Sequence, residues 1–354
     1  MLAASLCPAP DLGRSALKRL IDLPDVTLES LSEQFQRKVK SVDLGEPFES
    51  GQAEWTPLKL CFDDDSTSDI LHKRYLPENL EWGARELWFY QHCAGEMGNA
   101  IFAECYEMGE GDEEGMVWFL LEDLNGTHLK HQKGAEEKEI RQAIPTLVAL
   151  HARWWEDHIL DLDIFQRGRG GNCRMANACS AQNIRAMAAN FLEHELPRSR
   201  EMVGATFTEE LMDLCIRVTQ RWPDLLIDRI GEGQITMIHG DSHFENMFFP
   251  RDGSQQVKLI DWQSWERGIP AYDLAYMMMF SPETEKEAMS SYYEGLVAGG
   301  VSNYSRDRFE RDYRLSVLCC LFPTMLWMRS WGGVWVLERA LKNFERWNCH
   351  EFLG

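Results

Sequence analysis

IHGDSHFEN at Ile238–Asn246 and LIDWQ at Leu259–Gln263 are the stretches that decide the fold. Between them, an Asp-Gly pair separates two apolar runs, which is the strongest short signal for a β-hairpin. A hairpin would bring Asn246, at its start, close to Asp261, at its end. Asp241, five residues before Asn246, would then lie on the loop that leads into the hairpin.

Three oxygen-bearing side chains are therefore predicted to converge on one point. Such a group suits a divalent cation that carries polyphosphate, with a base for an attacking hydroxyl. We interpret Asn246 and Asp261 as ligands for Mg²⁺ and Asp241 as the catalytic base. Each residue alone could be an ordinary turn or cap residue, but their combined spacing favours the functional interpretation. His239 is expected to hold the loop by hydrogen bonding, and His243 either approaches substrate or is structural or exposed.

These residues carry a resemblance to a known family. The sequence His239-Gly240-Asp241 with Asn246, followed by Ile260-Asp261-Trp262, resembles the catalytic pair of the aminoglycoside phosphotransferase and choline kinase superfamily. Its members are protein-kinase-like enzymes that phosphorylate small molecules. Within it, the chain is most similar to the choline/ecdysteroid-kinase-like branch, through Leu259–Gln263 and the later Gly268–Pro270 and Asp273–Ala275. His-Gly-Asp stands here where protein kinases have His-Arg-Asp.

The resemblance covers roughly residues 39–280 and implies a fold, an activity and cofactors. The implied fold is α+β and protein-kinase-like, with a small antiparallel β-sheet N-lobe and a larger, mainly helical C-lobe. The implied cofactors are ATP and Mg²⁺, and the implied partner is a small-molecule alcohol acceptor. Because 354 residues exceed the usual size of one hydrophobic core, two lobes are also expected from length alone.

The predicted domains are residues 1–124 and residues 125–354. The first is a nucleotide-binding N-lobe with N-terminal helices, a five-stranded sheet and one helix. The second is a helical C-lobe with the catalytic loop and the acceptor site. Helices are expected at Ser15–Leu23 and after Thr27, which is a plausible cap. The predicted strands are Val39–Phe48, Thr56–Phe62, Asp69–Tyr75, Ala100–Met108 and Met116–Leu121.

Lys73 is the candidate phosphate-binding cation. A period of two places Leu71, Lys73 and Tyr75 on one face of a strand, and an ammonium group on an apolar face needs an anionic partner. Glu86, on a helix predicted over residues 81–92, is the candidate for this anionic partner. The resemblance implies that Lys73 and Glu86 form the pair that holds the nucleotide phosphates. Arg74 with Glu81 is the alternative assignment.

Two backbone segments are candidates for nucleotide binding. Glu49–Glu54 lies where a phosphate-binding loop would lie, but an ordinary hairpin turn explains it equally well. Glu122–Gly126 is predicted to be the hinge between the lobes. The resemblance implies that the Glu122 carbonyl and the Leu124 amide pair with the adenine edge.

The second half of the chain is predicted to be mostly helical. His151 is expected to be a packed core histidine, and Asp273 a structural carboxylate that in the resemblance braces the catalytic loop. An aromatic wall near the end of the chain could form a cage for a quaternary ammonium group, although a core stripe is the simpler interpretation. Its residues are Tyr292, Tyr293, Trp327, Trp331, Trp335 and Trp347. The expected helices are 138–158, 181–194, 208–228, 286–295 and 308–347, and the expected loop is 160–175, with Arg167–Gly171 inside it.

Composition limits the remaining choices. A formal charge of −21 disfavours nucleic acid and anionic membranes as partners, and slightly favours a cationic acceptor. No apolar run approaches the length of a spanning helix, and the apolar opening lacks a basic leader. The ten cysteines are scattered without metal-like spacing, which indicates reduced thiols in the cytoplasm.

The sequence thus predicts an ATP-dependent phosphotransferase that moves the γ-phosphate to a hydroxyl of a small molecule, with a slight preference for a cationic amino alcohol. The alternative is a catalytically inactive kinase-like protein that binds nucleotide or acts as a scaffold. A protein kinase is disfavoured because no Ala-Pro-Glu motif follows Asp261. A metal-dependent hydrolase built on His239, Asp241 and His243 would need more histidine ligands.

Overall fold

The structure is a computed structural model. It describes residues 26–98, 100–111, 116–130, 136–162, 164, 180–204, 207–253, 256–327 and 335–354. The expectations for Ser15–Leu23 and Arg167–Gly171 lie outside the described residues.

The chain divides into two compact units. The smaller unit comprises Met1–His92 and Ala103–Gly126, and the larger comprises Cys93–Phe102 and Thr127–Gly354. The smaller unit carries an antiparallel sheet, and the larger unit is mainly helical. This is the two-lobed α+β, protein-kinase-like architecture that the sequence predicts.

The sheet of the smaller unit has six strands, in the order β1-β3-β4-β6-β5, with β2 paired to β3. The strands are β1 (Val39–Leu44), β2 (Phe48–Ser50), β3 (Ala53–Phe62), β4 (Thr67–Tyr75), β5 (Cys105–Glu110) and β6 (Val117–Glu122). The expectation of five strands was wrong, because the predicted strand Val39–Phe48 breaks at Gly45-Glu46-Pro47. Pro47 has no N–H to donate to a ladder, so the chain restarts as the short strand β2.

One face of this sheet packs against helix α1 (Leu28–Gln34). Leu31 is fully buried at the contact, with apolar side chains of β1, β3 and β4 around it. Thr27 caps the helix, since its hydroxyl accepts from the Ser30 amide, and the Ser30 hydroxyl accepts from the Thr27 amide. The predicted cap is confirmed.

A second helix follows β4. Helix α2 (Leu80–Phe89) buries Gly83, Glu86 and Leu87, among others. A π-helical turn at Tyr90–Ala94 and a short helical turn at Gly95–Met97 come next.

The larger unit contains nine α-helices in its described part, in addition to the short turn Gly95–Met97. They are α3 (Glu137–Arg153), α4 (Ala181–Asn190), α5 (Leu196–Val203), α6 (Glu209–Gly231), α7 (Ala271–Met278), α8 (Glu285–Ala298), α9 (Arg306–Cys319), α10 (Leu321–Trp327) and α11 (Trp335–Arg346).

Most of these helices follow the predicted pattern, with shifted ends. Helix α3 begins at Glu137, contains Pro145, and ends at Arg153 rather than His158. Thr208 caps α6, as predicted, because its hydroxyl accepts from the Leu211 amide. No helix in the described part of the chain is long and apolar enough to cross a membrane.

Short strands of the larger unit frame Ile238–Asn246 and Leu259–Gln263. The predicted hairpin is confirmed, since β9 (Met247–Pro250) and β10 (Lys258–Leu259) pair antiparallel, with Leu259 opposite Met247. Strand β7 (His128–Lys130) pairs with the other edge of β9. Separately, β8 (Thr236–Ile238) pairs with β11 (Glu266–Gly268).

Candidate active site

Asp241 and Asn246 lie in contact on the loop between β8 and β9. The amide nitrogen of Asn246 donates to the backbone oxygen of Asp241 at 2.9 Å and to its carboxylate Oδ2 at 3.2 Å. Asn246 is buried at the end of a 3₁₀ turn, Phe244–Asn246. The loop is therefore folded so that one side chain holds both the backbone and the carboxylate of the other.

The hairpin brings Asp261 to the same region. The backbone N–H of Ile260 donates to the backbone oxygen of Asn246 at 3.0 Å, which joins the two ends of the hairpin. Asp261 itself has left-handed backbone angles, φ 62° and ψ 57°. Such a conformation is uncommon for a residue other than glycine, and it clusters at functional sites. The three residues that the sequence predicts to converge do lie together.

Burial and charge both act on Asp241. Burial raises the pKa of its carboxyl group to about 6, and the negative charge of Asp261 adds to the rise. Two carboxylates that repel each other at a partly buried position favour the binding of a cation near them.

The oxygen atoms at this position fit Mg²⁺. The amide nitrogen of Asn246 is used by Asp241, so its amide oxygen is the atom suited to a metal. Mg²⁺ prefers oxygen ligands and commonly takes only one or two from the protein, with the rest from phosphate and water. Among the described residues, no group of three or more His, Cys, Asp or Glu side chains is arranged to hold a metal. Asn246 and Asp261 offer two oxygen atoms of this kind, which suits a metal that arrives with phosphate oxygens.

His239 links the backbone of Asp241 to the backbone of Ile260, the residue before Asp261. Its Nδ1 accepts from the Asp241 amide at 3.3 Å, and its Nε2 donates to the Ile260 carbonyl at 2.9 Å. Burial lowers the pKa of this imidazole, which favours the neutral form that the two bonds require. The expected loop-holding role is confirmed. Because both ring nitrogens are engaged with the backbone, His239 is not a metal ligand here, which removes one ligand from the hydrolase alternative.

Gly240 is required by close packing. Its φ is +79°, and a Cβ atom added there would lie 2.2 Å from the backbone oxygen of Ser264. Only glycine meets both conditions, so the sequence His-Gly-Asp follows from the path of the backbone.

Asp273, in the first turn of α7, holds the catalytic loop in place through hydrogen bonds. Its two carboxylate oxygens accept the amides of His239 at 2.7 Å and Gly240 at 3.0 Å. The Nε2 of His151 donates to the same carboxylate at 3.0 Å. The side chains of Asp273, His239 and His151 are fully buried. The expected structural role of Asp273 and the core position of His151 are confirmed.

In the smaller unit, Lys73 and Glu86 form a buried ion pair. Lys73 Nζ lies 2.8 Å from Glu86 Oε2, and the two side chains are only 2 % and 1 % exposed. The predicted pairing is confirmed. Arg74 pairs instead with Glu54 at 2.6 Å, which removes the alternative assignment.

Two aromatic contacts of this pair are absent from the sequence prediction. The Tyr75 hydroxyl donates to the same Glu86 oxygen at 2.7 Å, and Lys73 Nζ lies 4.8 Å from the centre of the Trp55 ring. The inward face of β4 already indicated Tyr75. Trp55 could have been found only from the pairing of β3 with β4, which places it directly opposite Lys73.

Gly83 allows α2 to approach the sheet closely enough for Glu86 to reach Lys73. A Cβ atom at Gly83 would lie 2.9 Å from the Tyr75 ring and 3.0 Å from the Val117 Cβ. These contacts are shorter than side chains normally tolerate, and the neighbours belong to packed strands.

Gly83→Ala is therefore expected to destabilise the protein by about 1–3 kcal/mol, the usual cost of overpacking. Helix propensity alone predicts the opposite, a gain of about 0.5–1 kcal/mol. Gly95→Ala is the matched control, because no atom lies within 4 Å of its added Cβ. Urea unfolding of both variants gives the sign; a Gly83→Ala protein as stable as Gly95→Ala would contradict the close approach.

The two predicted nucleotide-binding backbone segments have defined conformations. Glu49–Glu54 is a tight hairpin, in which Glu49 pairs with Glu54 and Ser50 with Ala53. Glu122 ends β6, and its amide donates to the Glu104 carbonyl at 2.8 Å. Leu124 begins a 3₁₀ turn at Leu124–Gly126. The adenine-binding roles of Glu122 and Leu124 stay predictions.

Of the aromatic residues considered for a cage, Tyr292 is a core residue, whereas Tyr293, Trp335 and Trp347 are partly buried. The Tyr292 hydroxyl is fully buried and donates to the Pro270 carbonyl at 2.8 Å. Tyr293 donates to the Tyr304 carbonyl at 3.1 Å. Trp331 lies outside the described residues. The simpler interpretation, an aromatic core stripe, therefore describes Tyr292.

Comparison with known proteins assigns the chain to a class. The sequence model of the APH phosphotransferase enzyme family matches residues 65–309. Because this match spans more than half of the 354 residues, the chain belongs to the phosphotransferase enzyme family. A comparison with curated protein sequences gives no match.

Solved structures of the same architecture include kinases for small molecules. An ethanolamine kinase from Plasmodium vivax has a TM-score of 0.53 at 13 % identity, over 86 % of this chain and 81 % of its own. The GDP complex of wild-type aminoglycoside 2′-phosphotransferase-IIIa has a TM-score of 0.51 at 10 % identity, over 96 % and 99 %. A GDP and kanamycin complex of an aminoglycoside phosphotransferase has a TM-score of 0.50 at 10 % identity, over 95 % and 99 %. At these identities, the likeness supports the fold alone.

Proposed function

We propose that this protein transfers the γ-phosphate of ATP to a hydroxyl group of a small molecule. The observation that carries the proposal is the convergence of Asp241, Asn246 and Asp261 through the bonds of Asn246 to Asp241 and of Ile260 to Asn246. Membership of the phosphotransferase enzyme family supports the same reaction class.

In the larger unit, Asp241 would orient the acceptor hydroxyl and accept its proton as the hydroxyl attacks the γ-phosphate. The amide oxygen of Asn246 and the carboxylate of Asp261 would hold Mg²⁺. When bound, Mg²⁺ supplies positive charge that offsets the charge of the nucleotide phosphates. His239, Gly240 and the rest of the loop would keep Asp241 at a fixed distance from these ligands.

In the smaller unit, Lys73 would neutralise phosphate charge, with Glu86 holding its ammonium group in place. The Glu122 carbonyl and the Leu124 amide would pair with the adenine edge. The buried free thiols of Cys215, Cys319 and Cys320 support a reducing, cytoplasmic location.

The acceptor proposed here is a small alcohol, with a cationic amino alcohol favoured. The formal charge of −21 would attract a cation. Two proteins of the same architecture are named for ethanolamine and for aminoglycosides, both of which are amino alcohols. Since the aminoglycoside enzyme is bound to GDP, GTP is the nucleotide to compare with ATP.

The test is a screen for acceptor-dependent release of nucleoside diphosphate. Purified protein with Mg²⁺ and ATP or GTP is mixed with ethanolamine, choline, kanamycin, neutral alcohols or a serine peptide. We expect release only with small alcohols. Transfer to the peptide alone would favour a protein kinase, and tight nucleotide binding without turnover on any acceptor would favour the inactive alternative.

A further inference from the structure

His243 and Tyr276 contact Asp241 from two different elements, and neither has a role in the function proposed above. His243 lies on the catalytic loop, and Tyr276 lies on α7. The Tyr276 hydroxyl donates to Asp241 Oδ1 at 3.4 Å, and His243 Nε2 lies 3.6 Å from the same oxygen. The other carboxylate oxygen, Oδ2, accepts from Asn246. Each of the two carboxylate oxygens of Asp241 therefore has at least one hydrogen-bond donor next to it.

The hydrogen bonding of His243 defines its tautomer. Its Nδ1 accepts from the Glu245 amide at 3.2 Å, so this nitrogen carries no proton. Burial lowers the pKa of the ring to about 4, so the imidazole is neutral near neutral pH. A neutral imidazole with an accepting Nδ1 must carry its proton on Nε2. The proton thus sits on the nitrogen that faces Asp241.

Packing holds both donors in place. The His243 ring lies 6.3 Å from the rings of both Tyr276 and Phe280, measured between centroids. Tyr276 is fully buried, and burial raises the pKa of its phenol well above the usual value, so the hydroxyl keeps its proton. A contact of 3.4–3.6 Å is long for a hydrogen bond, but such bonds commonly tighten once substrate is bound.

We infer that His243, through its Nε2–H group, is a positioning residue that together with Tyr276 orients the Asp241 carboxylate toward the acceptor hydroxyl. This inference rests on the proposed role of Asp241 as the base. A merely structural role is the competing explanation, since Nδ1 of His243 also caps the 3₁₀ turn that carries Asn246.

Two variants of His243 separate these roles. His243→Asn places an amide oxygen where Nδ1 caps the turn but offers no donor in place of Nε2–H. His243→Gln can extend an amide N–H toward Asp241 but loses the cap. We expect His243→Asn to lower kcat by about tenfold to a hundredfold, the usual cost of a misplaced catalytic group, with the KM for ATP changed less than about twofold. His243→Gln should keep most of the turnover.

Tyr276→Phe completes a double-mutant cycle with His243→Asn. Because both side chains act on Oδ1 of Asp241, their losses in kcat should be strongly non-additive. Additive losses, wild-type kcat in His243→Asn, or a larger loss in His243→Gln than in His243→Asn would each overturn the inference. These rates are measured with the best acceptor from the screen described above.

A readout without turnover keeps this inference distinct from the proposed function. Long-range ¹H–¹⁵N spectra of protein labelled in its histidine rings report which ring nitrogen carries the proton. The expected result is a neutral, Nε2-protonated ring for His243, with an Nε2 signal that shifts in Asp241→Asn. An Nδ1-protonated ring, or a signal that Asp241→Asn leaves unchanged, would overturn the inference even in an active enzyme. Absence of turnover in the wild type would instead count against the proposed function.

Discussion

Asp241→Asn is expected to lower acceptor-dependent turnover by about a hundredfold to ten-thousandfold, the usual contribution of a general base. Asparagine has the same shape and can still bond to Asn246, but it cannot accept the proton of the attacking hydroxyl. The affinity for the nucleotide should stay similar or increase, because removal of a negative charge does not weaken the binding of an anion. Initial rates and calorimetric titration with a non-hydrolysable ATP analogue measure the two quantities.

Two further variants control this experiment. Asp261→Asn is expected to lose the Mg²⁺-dependent part of nucleotide binding, because it removes the charged metal ligand, whereas Asp241→Asn keeps it. Asp213→Asn removes an exposed carboxylate that pairs with Arg217 on the same helix, and should behave as wild type. Full turnover in Asp241→Asn would show that Asp241 is not the base. Identical nucleotide binding by Asp241→Asn and Asp261→Asn would contradict their separate roles as base and metal ligand.

The sequence predicted those parts of the site that depend on local pattern. The hairpin could be predicted because Asp252 and Gly253 lie between apolar runs, and it alone brings Asp261 beside Asn246. The ion pair could be predicted because a lysine on an apolar strand face requires a carboxylate, and Glu86 lies on the next helix. The hairpin and the ion pair each involve only one or two neighbouring elements. Each also follows from a strong local preference of the sequence.

Contacts between distant segments could not be predicted in this way. The Tyr276 hydroxyl reaches Asp241 only because Asp273, one turn earlier on α7, anchors that helix to the amides of the loop. His243 was open to an exposed or a substrate-facing role because polarity alone does not report burial. The need for Gly240 depends on the Ser264 carbonyl, whose position follows from tertiary packing.

Asp273→Asn is expected to destabilise the larger unit by about 3–5 kcal/mol, the usual cost of breaking a buried charged interaction. The carboxylate accepts three N–H groups, two from the loop backbone and one from His151. Asparagine has one oxygen and an NH₂ group, so at least one buried donor would face another donor. The loop that carries Asp241 would lose its support together with this stability.

The pH dependence of unfolding distinguishes this effect from a general loss of packing. Burial alone would raise the pKa of Asp273, but the bonds and charge of His151 and the bond from the His239 amide outweigh it, so the pKa lies below its ordinary value. A lowered pKa in the folded protein contributes stability above the ordinary pKa of aspartate, and this stability is lost as pH falls through the folded value. The stability difference between wild type and Asp273→Asn should therefore shrink in acid. Asp228→Asn, which changes an exposed carboxylate on α6, should have the same dependence of unfolding free energy on pH as the wild type. If Asp273→Asn differed from the wild type by the same free energy at all pH values, a stabilising role of the Asp273 charge would be contradicted.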